Sequence, residues 1–264
     1  MDLELKDKVT VITGPAKGMG AAISLGFARE GAKLALLGRD TAAIDPVCDA
    51  ARAIGVEAEV FACDVTDGET VASVVGRVAA RFGERIDVLV NVAGGTGPIG
   101  KTGVETTEDE FDEIVRLNML GPFNLIRAIA PIMRAQGGGK IVNVGGTFGM
   151  RGRAMRLAYS SSKWGLRGMT KSFALELGPD NINVNLVAPG MVDGPRFREK
   201  VVPQVAAQHG ISEEDAAARH AADYALGRIS TDEDIASATL FLASERARQL
   251  TGVDLPVDGG WASL

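Results

Sequence analysis

A β-rich run that breaks at once into a glycine-rich turn and then a helix constrains this chain more than any other stretch. Val9-Thr10-Val11-Ile12 is the run and Thr13-Gly14-Pro15-Ala16-Lys17-Gly18-Met19-Gly20 the turn. Ala21, Ala22, Ile23, Leu25, Phe27 and Ala28 then mark a helix that closes at Gly31. Strand, turn and helix in that order build a phosphate-binding unit. Small residues let the backbone approach a pyrophosphate, and the helix N-terminus faces it with free N–H groups. The glycines are spaced TGxxxGxG rather than GxGxxG. A merely tight turn is the plainer alternative.

The same rhythm continues along the chain. Lys33–Leu37 reads as a second strand, Thr41–Ile54 as a helix, Glu57–Phe61 as a strand, Asp67–Phe82 as a helix and Asp87–Val90 as a buried strand. Thr107-Glu108-Asp109-Glu110 is a capping box opening a helix that carries Phe111, Ile114, Val115, Leu117 and Asn118. Lys140–Val144, Asn181–Val187 and Val253–Val257 are further strands, and Thr231-Asp232-Glu233-Asp234 caps a helix through Leu242. Short strands alternating with helices predict an α/β fold, a Rossmann-type doubly wound parallel sheet covered on both faces. The 264 residues, 46% hydrophobic, suit a single domain with one sizeable core. The ligand crevice of such a sheet lies beyond the carboxyl ends of its strands, where the glycine turn, Asn91 and Pro189 all fall.

The end of the second strand is where a dinucleotide fold reads the adenosine ribose. An acidic residue there would bond the 2′-hydroxyl of NAD. Gly38 takes that place, Arg39 follows, and Lys17 comes from the glycine turn. Two cations suit a 2′-phosphate, so NADP is favoured. NAD stays open because Asp40 stands next door.

Ala158-Tyr159-Ser160-Ser161-Ser162-Lys163 puts a Tyr and a Lys one helical turn apart on one face. A phenol with a reference pKa near ~10 is a poor base at neutral pH. An ammonium about 4–5 Å away contributes roughly 3–4 kcal/mol toward the phenolate at an effective dielectric of ~20. That makes the Tyr a usable proton donor and acceptor. Alone, the pair reads equally as packing and solvated charge.

Several classes are excluded. The net charge of −6 leaves no basic surface for nucleic acid. No run of apolar residues is long enough for a transmembrane helix, and the charged stretch Met1–Lys8 is no signal peptide. Cys48 and Cys63 form neither a disulfide framework nor a metal-ligand spacing, and His209 and His220 have no ligand cluster, so no metal is expected. The cysteine usage points to a reducing, cytoplasmic home.

Thr13-Gly14…Gly18…Gly20, Asp64, Asn91-x-Ala93-Gly94, Asn118, Tyr159-x3-Lys163 and Pro189-Gly190 together resemble the short-chain dehydrogenase/reductase family, over essentially the whole chain. The resemblance implies that Tyr159 is the acid/base and that Lys163 lowers its pKa and holds the nicotinamide ribose. It implies that Asn118 holds a water in the proton relay. Gly14, Lys17, Gly18, Met19, Gly20, Arg39, Asp64, Val65, Asn91, Ala93, Gly94, Tyr159, Lys163, Pro189, Gly190 and Val192 would form the cofactor site. Asp64 and Val65 would meet the adenine, and the Val192 backbone the carboxamide. Family members are commonly tetramers, so a homotetramer is expected.

Three departures matter. Gly146 stands where the family usually has a Ser, thirteen residues before the Tyr. Val92 replaces a second Asn, and Gly194 replaces a Thr after Pro189-Gly190-Met191-Val192-Asp193. Losing the Ser hydroxyl costs roughly 10²–10³ in rate, against the ~10⁶ or more that enzymes provide. Thr147, a bound water or a substrate hydroxyl are the candidate replacements.

Residues 190–230 fall outside the βα rhythm and read as a substrate lid, with a helix start at Ile211-Ser212-Glu213-Glu214-Asp215. Gln208-His209-Gly210-Ile211 resembles the lid of members acting on small hydroxy acids and acetoin-type ketones. Arg151, Arg153 and Arg156 precede the Tyr, and Arg196 and Arg198 open the lid. An anionic substrate, solvated surface arginines and a subunit interface are all readings of that cluster. Two functions follow. One is an oxidoreductase moving a hydride between a nicotinamide cofactor and a small secondary alcohol or ketone. The other is a nucleotide-binding scaffold or sensor that lost turnover with the Ser.

Overall fold

Strands β1 (Val9–Thr13), β2 (Lys33–Gly38), β3 (Ala58–Ala62), β4 (Val88–Asn91), β5 (Gly139–Val144), β6 (Ile182–Pro189) and β7 (Asp254–Val257) form one sheet in the computed structural model, which describes residues 1–263. The order is β3-β2-β1-β4-β5-β6-β7, every pair parallel. The first three strands step one way from β1 and the rest step the other. The reversal opens a crevice at the carboxyl ends of β1 and β4, where ligands of such sheets bind.

Helices α1 (Gly18–Arg29), α2 (Thr41–Ile54) and α9 (Asp232–Ala243) cover one face. There Ile12, Leu34, Leu36, Val90 and Val142 meet Ile23, Phe27, Ile44, Ile235 and Leu240. Helices α3 (Gly68–Arg81), α5 (Gly121–Ala135) and α6 (Leu157–Leu177) cover the other, where Val11, Leu37, Leu89, Ile141 and Val184 meet Val74, Leu125, Ile129 and Ala174. Val11 and Ile12, neighbours in β1, thus serve opposite cores. This is why the strands read as continuous apolar runs rather than alternating ones.

Element ends agree with the sequence pattern to within one or two residues, except that α1 begins at Gly18, inside the expected turn and three residues before Ala21; α2 coincides with the pattern. Helix α5 was not foreseen. Helix α4 (Glu108–Val115), opened by the Thr107/Glu110 capping box, does not stop after Asn118. It widens into a π-helical turn at Arg116–Leu120 and continues as α5 through Pro122 and Pro131. Pro131 removes one backbone hydrogen bond at about 3 kcal/mol. Leu125, Ile126, Ile129 and Met133 are fully buried, at roughly 1.5–3 kcal/mol each, and outweigh it.

The stretch expected to be a lid is helical. A π-helical turn at Phe197–Val201 leads into α7 (Val202–His209), and α8 (Glu213–Ala221) starts at Ser212, whose hydroxyl accepts from the Asp215 N–H. Phe197, Val202, Ala206 and Ala216 give it a small core of its own. Among the described residues, no helix is long and apolar enough to cross a membrane.

Candidate active site

The glycine turn is shaped by close approach. Gly14 has φ +67° and a Cβ there would lie 2.9 Å from the Ala93 backbone, while a Cβ at Gly20 would run into the Gly14 carbonyl. Thr13 ties the turn to β4 by accepting from the N–H groups of Val92 and Ala93, both at 3.1 Å. Lys17 caps α1 without any side-chain hydrogen bond, and no acidic residue stands in the first turn. The N–H groups of Gly18, Met19 and Gly20 therefore face an anion site, and the cradle fits a pyrophosphate.

Gly14, Arg39, Asp64, Val65, Ala93 and Gly94 line one groove together with Gly38, Ile44 and Leu117. Asp64 is held below the usual carboxylate range by hydrogen bonds from the Thr66 N–H and hydroxyl and by the Arg39 charge. Asp40 also lines the groove, and one of its carboxylate oxygens caps α2 by accepting from Ala43 N–H at 3.1 Å. Lys17 and Arg39 are exposed. Asn91 does not line the groove. It is buried and donates to Asn143 Oδ1 at 2.9 Å, and Asn143 donates in turn to Thr170 on α6, so Asn91 braces the end of β4 from behind.

Pro189 ends β6, and Gly190 follows where a Cβ would lie 2.9 Å from Asp258. Met191 C=O accepts from Ser230 N–H, and Asp193 N–H donates to Ser230 C=O. In that parallel bridge Val192's own N–H and C=O point away from Ser230, free to meet a ligand.

Tyr159 and Lys163 share one face of α6, with the ammonium 5.7 Å from the ring centroid. Lys163 is buried and reaches the end of β5, donating to Val144 C=O at 3.1 Å. Burial pushes its pKa down to about 8. Tyr159 is raised by burial, against the opposing pull of Arg156 and Arg196. Two arginines thus join Lys163 as cations near the phenol.

Asn118 lies in the π-helical turn, the kind of widened turn that re-aims a side chain at a functional site. Its Oδ1 accepts from Gly95 N–H at 2.8 Å, and its Nδ2 donates to Gly95 C=O at 3.1 Å and to Ser162 Oγ at 2.9 Å. Ser162 donates onward to Tyr159 C=O at 2.8 Å. Both amide N–H groups are therefore spent on joining the β4 loop to α6. Thr13 and Ser162 were not singled out from the sequence. Their signal is only a hydroxyl at a strand end and one in a serine run.

A Cβ at Gly146 would stand 2.9 Å from the Tyr159 hydroxyl. Thr147 is buried at the start of a 3₁₀ turn, Thr147–Gly149. Phe148 meets Tyr159 edge-on at 6.1 Å and Trp261 at 5.5 Å. The five arginines do not form one patch. Arg198 pairs with Asp193 at 2.6 Å and Arg151 stacks over Trp261 at 5.2 Å, while Arg156 turns inward over the Tyr159 ring at 5.0 Å.

Comparison with known proteins agrees with this geometry. The family model described as "Enoyl-(Acyl carrier protein) reductase" matches residues 14–262. The 3-oxoacyl-[acyl-carrier-protein] reductase FabG of Thermotoga maritima is 36% identical over 98% of this chain and 99% of its own. Galactitol 2-dehydrogenase of Agrobacterium fabrum is 36% identical over 99% of this chain and all of its own. Among solved structures, NAD+-bound xylitol dehydrogenase superposes with a TM-score of 0.89 at 31% identity, covering 97% of this chain and 100% of that one. A variant of actinorhodin polyketide ketoreductase with NADPH does so with 0.90 at 30%, covering 98% of each. With such likeness running from end to end, this chain is a member of the short-chain dehydrogenase/reductase family, an oxidoreductase acting on CH–OH and C=O groups of small molecules.

Proposed function

We propose that the protein interconverts a small secondary alcohol and its ketone with NADP in preference to NAD. When bound, the nicotinamide supplies or accepts the hydride. Tyr159 gives the proton to the substrate oxygen or takes it away, and Lys163, together with the Val192 backbone, holds the nicotinamide end. The α1 N-terminus holds the pyrophosphate, and Asp64 and Val65 the adenine. The observation that carries this reading is the buried Lys163 set beside Tyr159 on α6, with its ammonium at the end of β5 facing Gly94. A solvated surface pair needs no such burial. Turnover of NADPH and NADH is measured over ketones, diketones and oxo acids. Tight cofactor binding without turnover on every class overturns the reading in favour of a nucleotide-binding scaffold, which Gly146 favours and the retained Asn118, Tyr159 and Lys163 oppose.

The NADP preference is supported by Arg39, which lines the groove, while one oxygen of Asp40 is used as a helix cap. Arg39 at the groove is then the partner for a 2′-phosphate. The homotetramer expected from the family is supported by exposed Leu157, Trp164 and Leu175 on α6 and by Phe111 and Phe123 on α4 and α5. Light scattering on the purified protein tests it. The α7–α8 segment is read as the substrate lid, and a cytoplasmic home accords with two free buried cysteines, Cys48 and Cys63.

A further inference from the structure

Three cations among the described residues are buried: Lys140, Lys163 and Arg156. Lys140 donates to Asn183 Oδ1 at 2.7 Å and faces Glu245 at 3.7 Å. Lys163 donates to Val144 C=O. Arg156 is 9% exposed, its Nε has no hydrogen-bond partner, and no carboxylate among the described residues pairs with it. A guanidinium carries five N–H donors in a fixed fork that matches a carboxylate. Leaving such a group buried and unpaired is costly unless a ligand completes it. The Phe148 and Tyr159 rings, at 5.9 and 5.0 Å, offset part of that cost but accept no in-plane hydrogen bond.

The backbone is bent to put the side chain there. Residues 151–155 are all exposed. Met155 has φ +59°, a left-handed conformation that a Met side chain rarely adopts, and Arg156 behind it enters the site as the residue preceding α6. Strain of this kind persists where the surroundings over-determine it, and it clusters at ligand clamps. Arg153 and Arg196 add positive charge around Arg156 and likewise have no carboxylate partner among the described residues. Of these, Arg156 lies over the Tyr159 ring, and the exposed Arg196 also acts on the phenol.

We infer that Arg156 is a substrate-binding residue that pairs with a carboxylate, so that the substrate is an oxo acid or the matching hydroxy acid. This rests on the oxidoreductase reading above. In the reducing direction the carbonyl carbon receives a hydride from the reduced nicotinamide cofactor, the carbonyl oxygen receives the Tyr159 proton, and the carboxylate leaves unchanged, held by Arg156. Arg153 and Arg196 steer the anion in.

The test uses the whole protein with 2-, 3- and 4-oxopentanoate, each beside its methyl ester, and both NADPH and NADH. The expected result is that at least one acid exceeds its ester by about tenfold or more in kcat/KM, mostly through KM, as a charge-assisted pair requires. Arg156→Met brings that ratio to within about threefold of one, and Arg156→Lys, keeping the charge but not the fork, retains part of it. Esters used as well as acids at all three positions overturn the assignment. So does an Arg156→Met variant that slows esters as much as acids, which would make Arg156 a positioning group for Tyr159. If no ketone is turned over, the oxidoreductase reading itself fails. Saturation-transfer NMR with pentanoate and pentanamide then reads the site alone, and a pentanoate signal lost in Arg156→Met upholds it while equal signals overturn it. If Arg156→Met does not fold, the acid-to-ester ratio and Arg156→Lys decide.

Discussion

The Tyr159 hydroxyl lies 2.9 Å from the point where a Cβ at Gly146 would stand. Gly146 has φ 166°, an extended conformation open to any residue, so it is the phenol and not the backbone that makes glycine fit. In this chain the space of the usual Ser Cβ is crowded by the Tyr159 hydroxyl.

Gly146→Ala therefore displaces the hydroxyl by a few tenths of an ångström. Misplacement by about 1 Å costs up to ~10² in rate, so a fall of about tenfold in the single-turnover rate is expected. Thr147→Ala should cost less than about tenfold, the size of one hydrogen bond. A hundredfold loss would instead make Thr147 the donor to the substrate oxygen.

Tyr159→Phe keeps the ring between Arg156 and Phe148 and removes only the hydroxyl. Turnover should disappear while the Kd for the cofactor, read by fluorescence titration, stays nearly unchanged. Retention of a tenth of the original kcat would sink the acid/base role. Lys163→Ala should harm both quantities.

Cofactor choice is read from Kd values for NADP and NAD on the unmodified protein. Charge-assisted bonds of roughly 1.5–3 kcal/mol predict at least a tenfold preference for NADP. Arg39→Leu should remove most of it, and Gly38→Asp with Arg39→Leu should reverse it by repulsion, provided that Ile44 Cδ1, 2.8 Å from the new Cβ, swings aside. Asp40→Ala should leave the preference unchanged and cost about 1 kcal/mol of stability as a lost cap. NAD bound as tightly as NADP contradicts the assignment.

Lys163 makes stability depend on pH. Its folded pKa of about 8 is below the ordinary 10.5. Between those values the unfolded chain binds more protons, so stability rises with pH across that window. Denaturant unfolding without cofactor should find the unmodified protein gaining on Lys163→Met by up to about 3 kcal/mol between pH 8 and 10.5. A gap that stays constant, or narrows, shows the ammonium to be paired after all.

Much of the fold is legible in the sequence. Apolar runs, glycine turns and capping residues are local signals, so β1, the Gly14–Gly20 turn, α2 and the Thr107 and Thr231 caps could be read from neighbours in the chain. The order of the strands could not, because it depends on which runs pair across the sheet, and neither could the continuation of α4 into α5 past two prolines, which burial of Leu125 and Ile129 decides. At the site, residue type and spacing named Tyr159 and Lys163. Whether a given Arg is solvated or buried carries no local mark, and Arg151, Arg153 and Arg156 look alike along the chain. Folding sends one over Trp261, leaves one in solvent and seals the third against Tyr159 without a partner, because charge environment is set by groups far apart in sequence brought together in space.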